Sequence, residues 1–215
     1  MSKRVGVLGS GQVAQVLAAG FKKHGHEVTI GSREASKLAE FGQKHGIAAA
    51  DFAAAAAFGE IVVLAVKGTA AVSALSLAGD ANLAGKVVID ATNPISDEPP
   101  QNGILRYFTG PNDSLMERLQ AAHPAARLVK AWSSVGNAFF VNPTFPGGPP
   151  TMFICGNDAG AKRETTEILA KFGWEAIDAG GIEMGVAVEA LCILWCAPGF
   201  LHNDWTHALK YLKPA

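Results

Sequence analysis

The chain has little net charge and few of the residues that metal centres and disulfide frameworks require. Its 18 Lys+Arg and 19 Asp+Glu give a formal net charge of −1 over 215 residues, so no basic stripe exists to neutralise nucleic-acid phosphates. The six histidines are scattered, and the three cysteines are Cys155, Cys192 and Cys196. We expect buried structural thiols, no metal site and no nucleic-acid partner.

Long uninterrupted apolar runs are also lacking. The longest apolar stretch, residues 186–201, contains Glu189 and is interrupted again by Pro198-Gly199, whereas a membrane-spanning helix needs about 20 consecutive apolar residues. The first residues, MSKRVGV, enter a predicted strand at once and leave no room for a signal peptide. The sequence therefore predicts a cytoplasmic protein without a membrane partner.

A strand, a glycine turn, a helix and a second strand are predicted in succession between residues 4 and 33. The turn reads G-x-G-x-x-A from Gly9 to Ala14, and Gly25 ends the helix. The first glycine allows the tight turn, the second lets a pyrophosphate approach the backbone, and the helix N-terminus attracts its charge. The sequence therefore predicts a dinucleotide-binding turn at Gly9, Ser10, Gly11, Gln12 and Val13.

The end of the second strand favours NADP(H) over NAD(H). Chains that bind NAD usually carry a carboxylate at this position for the ribose hydroxyls. Here the strand ends in Gly31-Ser32-Arg33, and Lys37 follows one turn into the next helix. Ser32 can donate a hydrogen bond to a 2′-phosphate, and Arg33 can form a bidentate pair with it. The alternative is a solvated helix face on which Glu34 pairs with Arg33 or Lys37.

Strands and helices alternate along most of the chain, which predicts an α/β fold with a Rossmann-type, doubly wound parallel sheet and a small C-terminal helical extension. The Pro/Gly-rich segment 142–150 is the best candidate for a boundary. We predict an NADP-binding domain at residues 1–142 and a C-terminal portion at residues 143–215 that completes the sheet and the substrate pocket. Pro198-Gly199 is expected to end one helix and begin a last one.

Ligands of doubly wound sheets bind at the carboxyl ends of the strands. That rule adds further candidates for cofactor binding, namely Val66, Lys67, Asn93, Pro94, Ser134 and Val135. Lys67 either contacts the cofactor or lies on the surface, and Asn93 either holds the nicotinamide ribose or caps its own turn. Residues 96–113 form a loop longer than most connections, which is typical of a functional lid.

These segments together resemble the deazaflavin-dependent NADP reductase family, the NADPH:coenzyme F420 oxidoreductases, and the related oxidoreductase domain of the STEAP metalloreductases. The resemblance rests on the ordered motifs GSGQVA, GSR followed by a lysine, IVVLAV, DATNPI, KAWSSVGNAFFVNP, ICGND, and DAGGIE before VEALCILW. It implies that Ser32, Arg33 and Lys37 bind the 2′-phosphate. It also implies that the nicotinamide end is surrounded by Val66, Lys67, Asn93 and the Ser134-Val135 turn.

The resemblance implies hydride transfer between NADPH and a flavin-like acceptor, such as coenzyme F420, FMN or FAD. That step depends mainly on stacking the two rings, which fits the lack of a Ser-His-Asp set or paired carboxylates, and no catalytic residue is assigned. Reduction of a small imine or ketone is an alternative that needs a proton donor, for which Tyr107, His202 and Glu189 are candidates by residue type only. A non-catalytic NADP-binding sensor is another.

Glu189 lies in a segment that is apolar almost all round, which is typical of a helix buried on most sides. A buried carboxylate is costly unless it is paired or hydrogen-bonded. The alternatives are that Glu189 reaches solvent past the helix edge, or that it serves a substrate or an interface. Residues 180–212 are expected to pack as helices against the sheet and against a second subunit of a homodimer.

Overall fold

A computed structural model describes residues 2–214, which are built around a six-stranded parallel sheet. The strands are β1 (Arg4–Leu8), β2 (Glu27–Gly31), β3 (Ala48–Ala50), β4 (Ile61–Leu64), β5 (Val87–Asp90) and β6 (Arg127–Lys130). Their spatial order is β3-β2-β1-β4-β5-β6, and all neighbouring pairs are parallel. Because the chain reverses its direction of progress between β1 and β4, the sheet is doubly wound, and the predicted fold class is confirmed.

Helices cover both faces of this sheet. They are α1 (Gln12–Lys23), α2 (Ala39–His45), α3 (Phe52–Phe58), α4 (Ala71–Ala78), α5 (Asp80–Leu83) and α6 (Leu115–Ala122). One apolar cluster, around Phe21 and Trp132, packs against one side of the sheet, and a second, around Leu75 and Leu119, packs against the other. All four residues of β4 are consequently buried, as expected for a strand covered on both faces.

The C-terminal portion forms a small sheet of its own. It contains β7 (Thr151–Ile154), α7 (Ala159–Lys171) and β8 (Glu175–Asp178), and β7 pairs with β8 in parallel. The expectation that this portion completes the large sheet is therefore corrected. The two sheets meet at a bridge between Lys130 and Cys155. A Cβ on the next residue, Gly156, would lie 2.5 Å from Leu128 O, so the chain crosses β6 closely there instead of running alongside it.

The last helix, α8 (Gly185–His202), continues through Pro198, which corrects the predicted break. Asn203, in the left-handed conformation with φ of 54°, is the residue that ends it. Residues 203–214 contain no helix and fold back instead. In that segment Leu209 O accepts a hydrogen bond from Thr151 N at 2.8 Å, so it runs past β7. The predicted final helix is therefore wrong.

Residues Ile182–His202 are long and apolar enough to span a membrane by length and composition, with a mean hydropathy of 1.8. Core helices of soluble proteins meet the same criterion. The side of α8 that faces the sheet carries Glu189, which is only 1% exposed and is paired with Lys130. A helix that buries an ion pair against the sheet in this way belongs to the folded core, and we interpret α8 accordingly.

Candidate functional site

A pocket of about 220 Å³ opens beyond the carboxyl ends of β1, β2 and β4. This is the point where the strand order reverses and where doubly wound sheets bind ligands. It is lined by eight of the predicted residues, Gly9, Ser10, Gly11, Ser32, Arg33, Lys37, Val66 and Lys67. It is also lined by residues that the sequence did not single out as ligand contacts, namely Glu34, Phe52, Ala65, Ala70, Ser73 and Ala74.

The glycine turn leaves room for a phosphate. Gly9 has φ of 144°, and a Cβ there would lie 2.2 Å from Ala65 O, so a side chain cannot be accommodated. Gly11 precedes α1, and a Cβ there would have none of the described heavy atoms within 4 Å. The first turn of α1, which includes Gln12 and Val13, has no acidic residue. The open space and the free N–H groups of this helix N-terminus therefore suit an anion.

The residues after β2 leave Arg33 available to a ligand. The Lys37 Nζ pairs with Glu34 Oε1 at 2.9 Å, and both side chains are exposed. Glu34 N also donates a hydrogen bond to the buried Ser32 Oγ at 3.2 Å. Among residues 2–214, no carboxylate lies within ion-pair distance of Arg33. Of the two partners considered for Glu34, it thus takes Lys37, and the Arg33 guanidinium keeps its donors for an anion.

The remaining predicted residues lie on the other half of the rim, after β5 and β6. Asn93 Nδ2 donates a hydrogen bond to Ser133 O at 3.1 Å, whereas the buried Asn93 Oδ1 has no partner within the described chain. Buried polar atoms are almost always paired, so this lone acceptor suits a donor on a ligand. Pro94, Ser134 and Val135 are buried around the same turns.

Lys67 is exposed and pairs with the exposed carboxylate of Asp97. Asp97 belongs to the long loop, which is an irregular hairpin held by bridges between Ile95 and Tyr107 and between Gln101 and Ile104. A Cβ on Gly103, at its tip, would lie 2.6 Å from the Leu201 side chain of α8. The loop therefore reaches from the rim of the sheet to the end of α8.

The three candidate proton donors are all engaged or distant from the pocket lining. Glu189 is buried, with Oε1 accepting from Met116 N at 3.0 Å and Oε2 accepting from Leu115 N at 3.1 Å. Of the alternatives for Glu189, the position in solvent is therefore wrong, because its carboxylate is buried and hydrogen-bonded. Tyr107 Oη donates to Glu189 O at 2.6 Å, and burial raises the pKa of Tyr107 far above its usual value. His202 lies at the exposed end of α8.

The cysteines are free thiols, and Cys155 and Cys192 are buried as expected, while Cys196 is half-buried. Burial raises the pKa of Cys155 to about 12, which makes its thiolate scarce at neutral pH. The Cys192 and Cys196 sulfur atoms are 4.0 Å apart. In the part of the chain that the structure describes, no cluster of three or more His, Cys, Asp or Glu side chains could hold a metal ion.

Comparison with known proteins agrees with this geometry. A family described as NADP oxidoreductase, coenzyme F420-dependent, matches residues 4–94. A crystal structure from Arthrobacter sp. FB24, provisionally assigned as an F420-dependent NADP reductase, is 32% identical with a TM-score of 0.91, and the match covers 99% of this chain and 100% of that one.

Two further proteins are similar to this chain over only part of their own length. The metalloreductase STEAP3 of Rattus norvegicus is 30% identical over 189 residues, which are 87% of this chain, and the chain spans 36% of that protein's length. An imine reductase from Bacillus cereus BAG3X2 has a TM-score of 0.65 at 19% identity, with 89% of this chain and 59% of that one covered. That likeness shows a shared fold.

Proposed function

The chain belongs to the family of coenzyme F420-dependent NADP oxidoreductases, and we propose that it transfers a hydride between NADPH and a flavin or deazaflavin acceptor. The class of NADP-dependent oxidoreductase follows from the family, and it removes the non-catalytic sensor from the alternatives. The acceptor is the proposed part, with coenzyme F420, FMN and FAD as the candidates.

One observation carries the NADP(H) part of the proposal, the open space at Gly11 beside an Arg33 that has no carboxylate partner within residues 2–214. We propose that the N–H groups of the first turn of α1 bind the pyrophosphate. Arg33, with Ser32 and Lys37, would bind the 2′-phosphate. An adjoining cavity of about 420 Å³, whose lining includes the apolar side chains of Phe52 and Leu77 beside Arg33, would hold the adenine.

The other half of the rim would hold the nicotinamide end. The unpaired Asn93 Oδ1 can accept a hydrogen bond from a ribose hydroxyl, which would satisfy it. Val66 and Val135 would supply apolar contacts, while Pro94 lies next to Asn93 on the turn after β5 and Ser134 lies next to Val135 on the turn after β6. When bound, NADPH supplies the hydride, so the protein has only to place the ring and exclude water.

A flavin-type acceptor fits the chemistry of the site better than an imine or ketone. Reduction of an imine or ketone needs a proton donor near the acceptor. Glu189 has both carboxylate oxygens engaged, and the Tyr107 hydroxyl donates to a backbone carbonyl. A flavin or deazaflavin ring delocalises the incoming charge, so a site without a free proton donor can still reduce it.

The test uses NADPH deuterated on one or the other face of the nicotinamide, with coenzyme F420, FMN, FAD, a cyclic imine and a ketone in turn. We expect label to pass from one face only, to a flavin or deazaflavin, faster than in the protein-free control. Transfer of label to the imine or ketone, with none to the flavins or the deazaflavin, would contradict the proposed flavin-type acceptor and would support reduction of a small imine or ketone instead.

We also propose a homodimer formed through the outward face of α8. Leu194 is 60% exposed and Leu201 is 54% exposed, and their spacing of two helical turns puts them on one face. Sedimentation should give a dimer that Leu194→Asp shifts toward monomer. A monomer at every concentration of the unmutated protein would remove the dimer.

A cytoplasmic location is the remaining proposal. It is supported by the burial of Glu189 and its contact with Lys130, which hold α8 against the sheet. Fractionation of cells that produce the protein should recover it without detergent. Recovery with the membranes would contradict the proposal.

A further inference from the structure

We infer that Lys130 is a positioning residue for the nicotinamide end of the site, acting through the carbonyl oxygen of Thr92. The inference rests on the proposed function, because it concerns how that site is held. Lys130 ends β6, whereas Thr92 precedes Asn93 on the turn after β5. A lysine at the end of a strand gives no sequence signal for such a role.

The Lys130 ammonium group is completely buried and lies within 3 Å of oxygen atoms from three residues. Nζ lies 2.6 Å from Asp90 Oδ2, 2.8 Å from Thr92 O and 2.9 Å from Glu189 Oε1. The contacts with Asp90 and Thr92 are hydrogen bonds, and the contact with Glu189 is an ion pair. Burial alone would lower the pKa of Lys130, but Asp90 and Glu189 raise it above its usual value, so the cation persists.

Burying such a cluster in a core carries a large desolvation penalty. Asp90 is 0% exposed and Glu189 is 1% exposed, so one cation and two carboxylates have been removed from water together. Apolar side chains of similar volume often stabilise a core as well or better. Stability alone therefore explains this cluster poorly, whereas a requirement to fix the turn after β5 explains it well.

The cluster holds both the backbone N–H and the backbone carbonyl of Thr92. Asp90 Oδ1 accepts from Thr92 N at 2.9 Å and from Thr92 Oγ1 at 2.6 Å, while Lys130 holds Thr92 O. The next residue, Asn93, is held by Ser133 O, and a Cβ on Gly68 would lie 2.0 Å from Asn93 O. The direction of the unpaired Asn93 Oδ1 is thereby set by its neighbours, with Lys130 as the charged anchor.

Glu189 extends the cluster to two helices. Its carboxylate, on α8, accepts the N–H groups of Leu115 and Met116, the first residues of α6. These N–H groups and the positive end of the α6 dipole offset the excess negative charge of the cluster. The turn that carries Asn93 is thus tied through Lys130 and Glu189 to α6 and α8, both outside the pocket.

The test uses the double variant Lys130→Met/Glu189→Gln, which removes one positive and one negative charge and leaves Asp90 its two bonds from Thr92. The matched control is Lys162→Met/Asp178→Asn. That pair, 2.8 Å apart, also includes a lysine that donates to a backbone carbonyl, Gly180 O, but lies between α7 and β8. Circular dichroism and melting temperature report on folding.

Each protein is titrated with NADPH and with adenosine 2′,5′-bisphosphate, a fragment that lacks the nicotinamide. The double variant should bind the fragment as the unmutated protein does but bind NADPH about three- to tenfold more weakly, as expected for one lost hydrogen bond. Its hydride-transfer kcat should fall on the order of 10²-fold. The control should change neither titration.

An equal loss for fragment and NADPH, or undiminished NADPH binding by a folded double variant, would overturn the positioning role. If the double variant does not fold, Lys130→Gln/Glu189→Gln takes its place, because it removes the same two charges and the bond from the ammonium group to Thr92 O but keeps polar side chains at both positions, and the same comparison decides. The titrations use no acceptor. A failure of the unmutated protein to reduce any flavin would therefore overturn the proposed function while the positioning result stood on its own.

Discussion

Replacing Arg33 with alanine should separate NADP(H) from NAD(H). A hydrogen bond to a charged group contributes about 1.5–3 kcal/mol. Arg33 is exposed, so solvent screening reduces the effect toward the lower value. We expect Arg33→Ala to weaken NADP(H) roughly tenfold, since about 1.4 kcal/mol corresponds to a factor of ten. NAD(H), which has no 2′-phosphate, should bind nearly as before.

The ion pair between Lys37 and Glu34 predicts that a change at Glu34 raises the affinity for NADP(H), whereas Arg33→Ala lowers it. Glu34 lines the pocket, and its carboxylate both repels a phosphate and engages Lys37. Glu34→Gln should therefore tighten NADP(H) binding, and Lys37→Ala should weaken it less than Arg33→Ala does. Arg163, exposed on α7, is the matched control, and Arg163→Ala should leave both cofactors unchanged.

Calorimetric titration of each variant with NADP⁺ and NAD⁺, at low and high salt, measures these differences. The difference between the two cofactors should shrink as salt rises, because exposed charges are screened. Equal dissociation constants for the two cofactors in the unmutated protein would refute the reasoning. The reasoning would also be refuted if Arg33→Ala weakened the binding of NAD⁺ as much as the binding of NADP⁺.

Three further outcomes are expected. Gly11→Val should fold normally but lose cofactor in titrations, because its side chain enters open space at the N-terminus of α1; normal binding would contradict the proposed pyrophosphate position. Burial and the nearby Lys171 lower the folded-state pKa of His26. The free energy of unfolding should therefore be fully retained above about pH 6.5 and should fall as the pH drops below that value. Urea midpoints measured across this range should fall less steeply in His26→Gln. Ser114→Ala should lower the free energy of unfolding by about 1 kcal/mol in urea, because it removes the Oγ that accepts from Glu117 N, while the bond from Ser114 N to Glu117 Oε2 remains; an unchanged midpoint would show that the cap is dispensable.

The first half of the fold follows from local patterns. Buried strands such as β4 are apolar throughout, and Gly9 and Gly25 occupy positions where φ is positive, so local sequence was enough to predict these elements. Asp51 directly precedes α3 and caps it, accepting a hydrogen bond from Ala54 N at 2.7 Å, as an aspartate at a helix start commonly does. The rim residues could be grouped in advance because parallel strands end at one edge.

The second half depends on contacts between distant segments, which local patterns do not encode. Pro198 suggested a break, but a helix can continue after losing one backbone hydrogen bond when one of its faces is packed. The helix ends instead at Asn203, which adopts the left-handed conformation. Lys130 looked like an ordinary strand end because Asp90 and Glu189 approach it only after folding. Asn93 was predicted as a ligand residue, yet its unpaired Oδ1 is visible only in three dimensions.

The contact between Lys67 and Asp97 makes the mouth of the pocket sensitive to ionic strength. Both side chains are more than half exposed, at 59% and 74%, so dissolved ions screen their attraction. At 1 M salt the screening length falls to about 3 Å, compared with about 10 Å at 0.1 M. The hairpin that carries Asp97 would then detach more readily from the rim of the sheet. Salt would therefore act on cofactor entry in two opposed ways, because the ions that loosen this contact also screen the attraction of Arg33 for a 2′-phosphate.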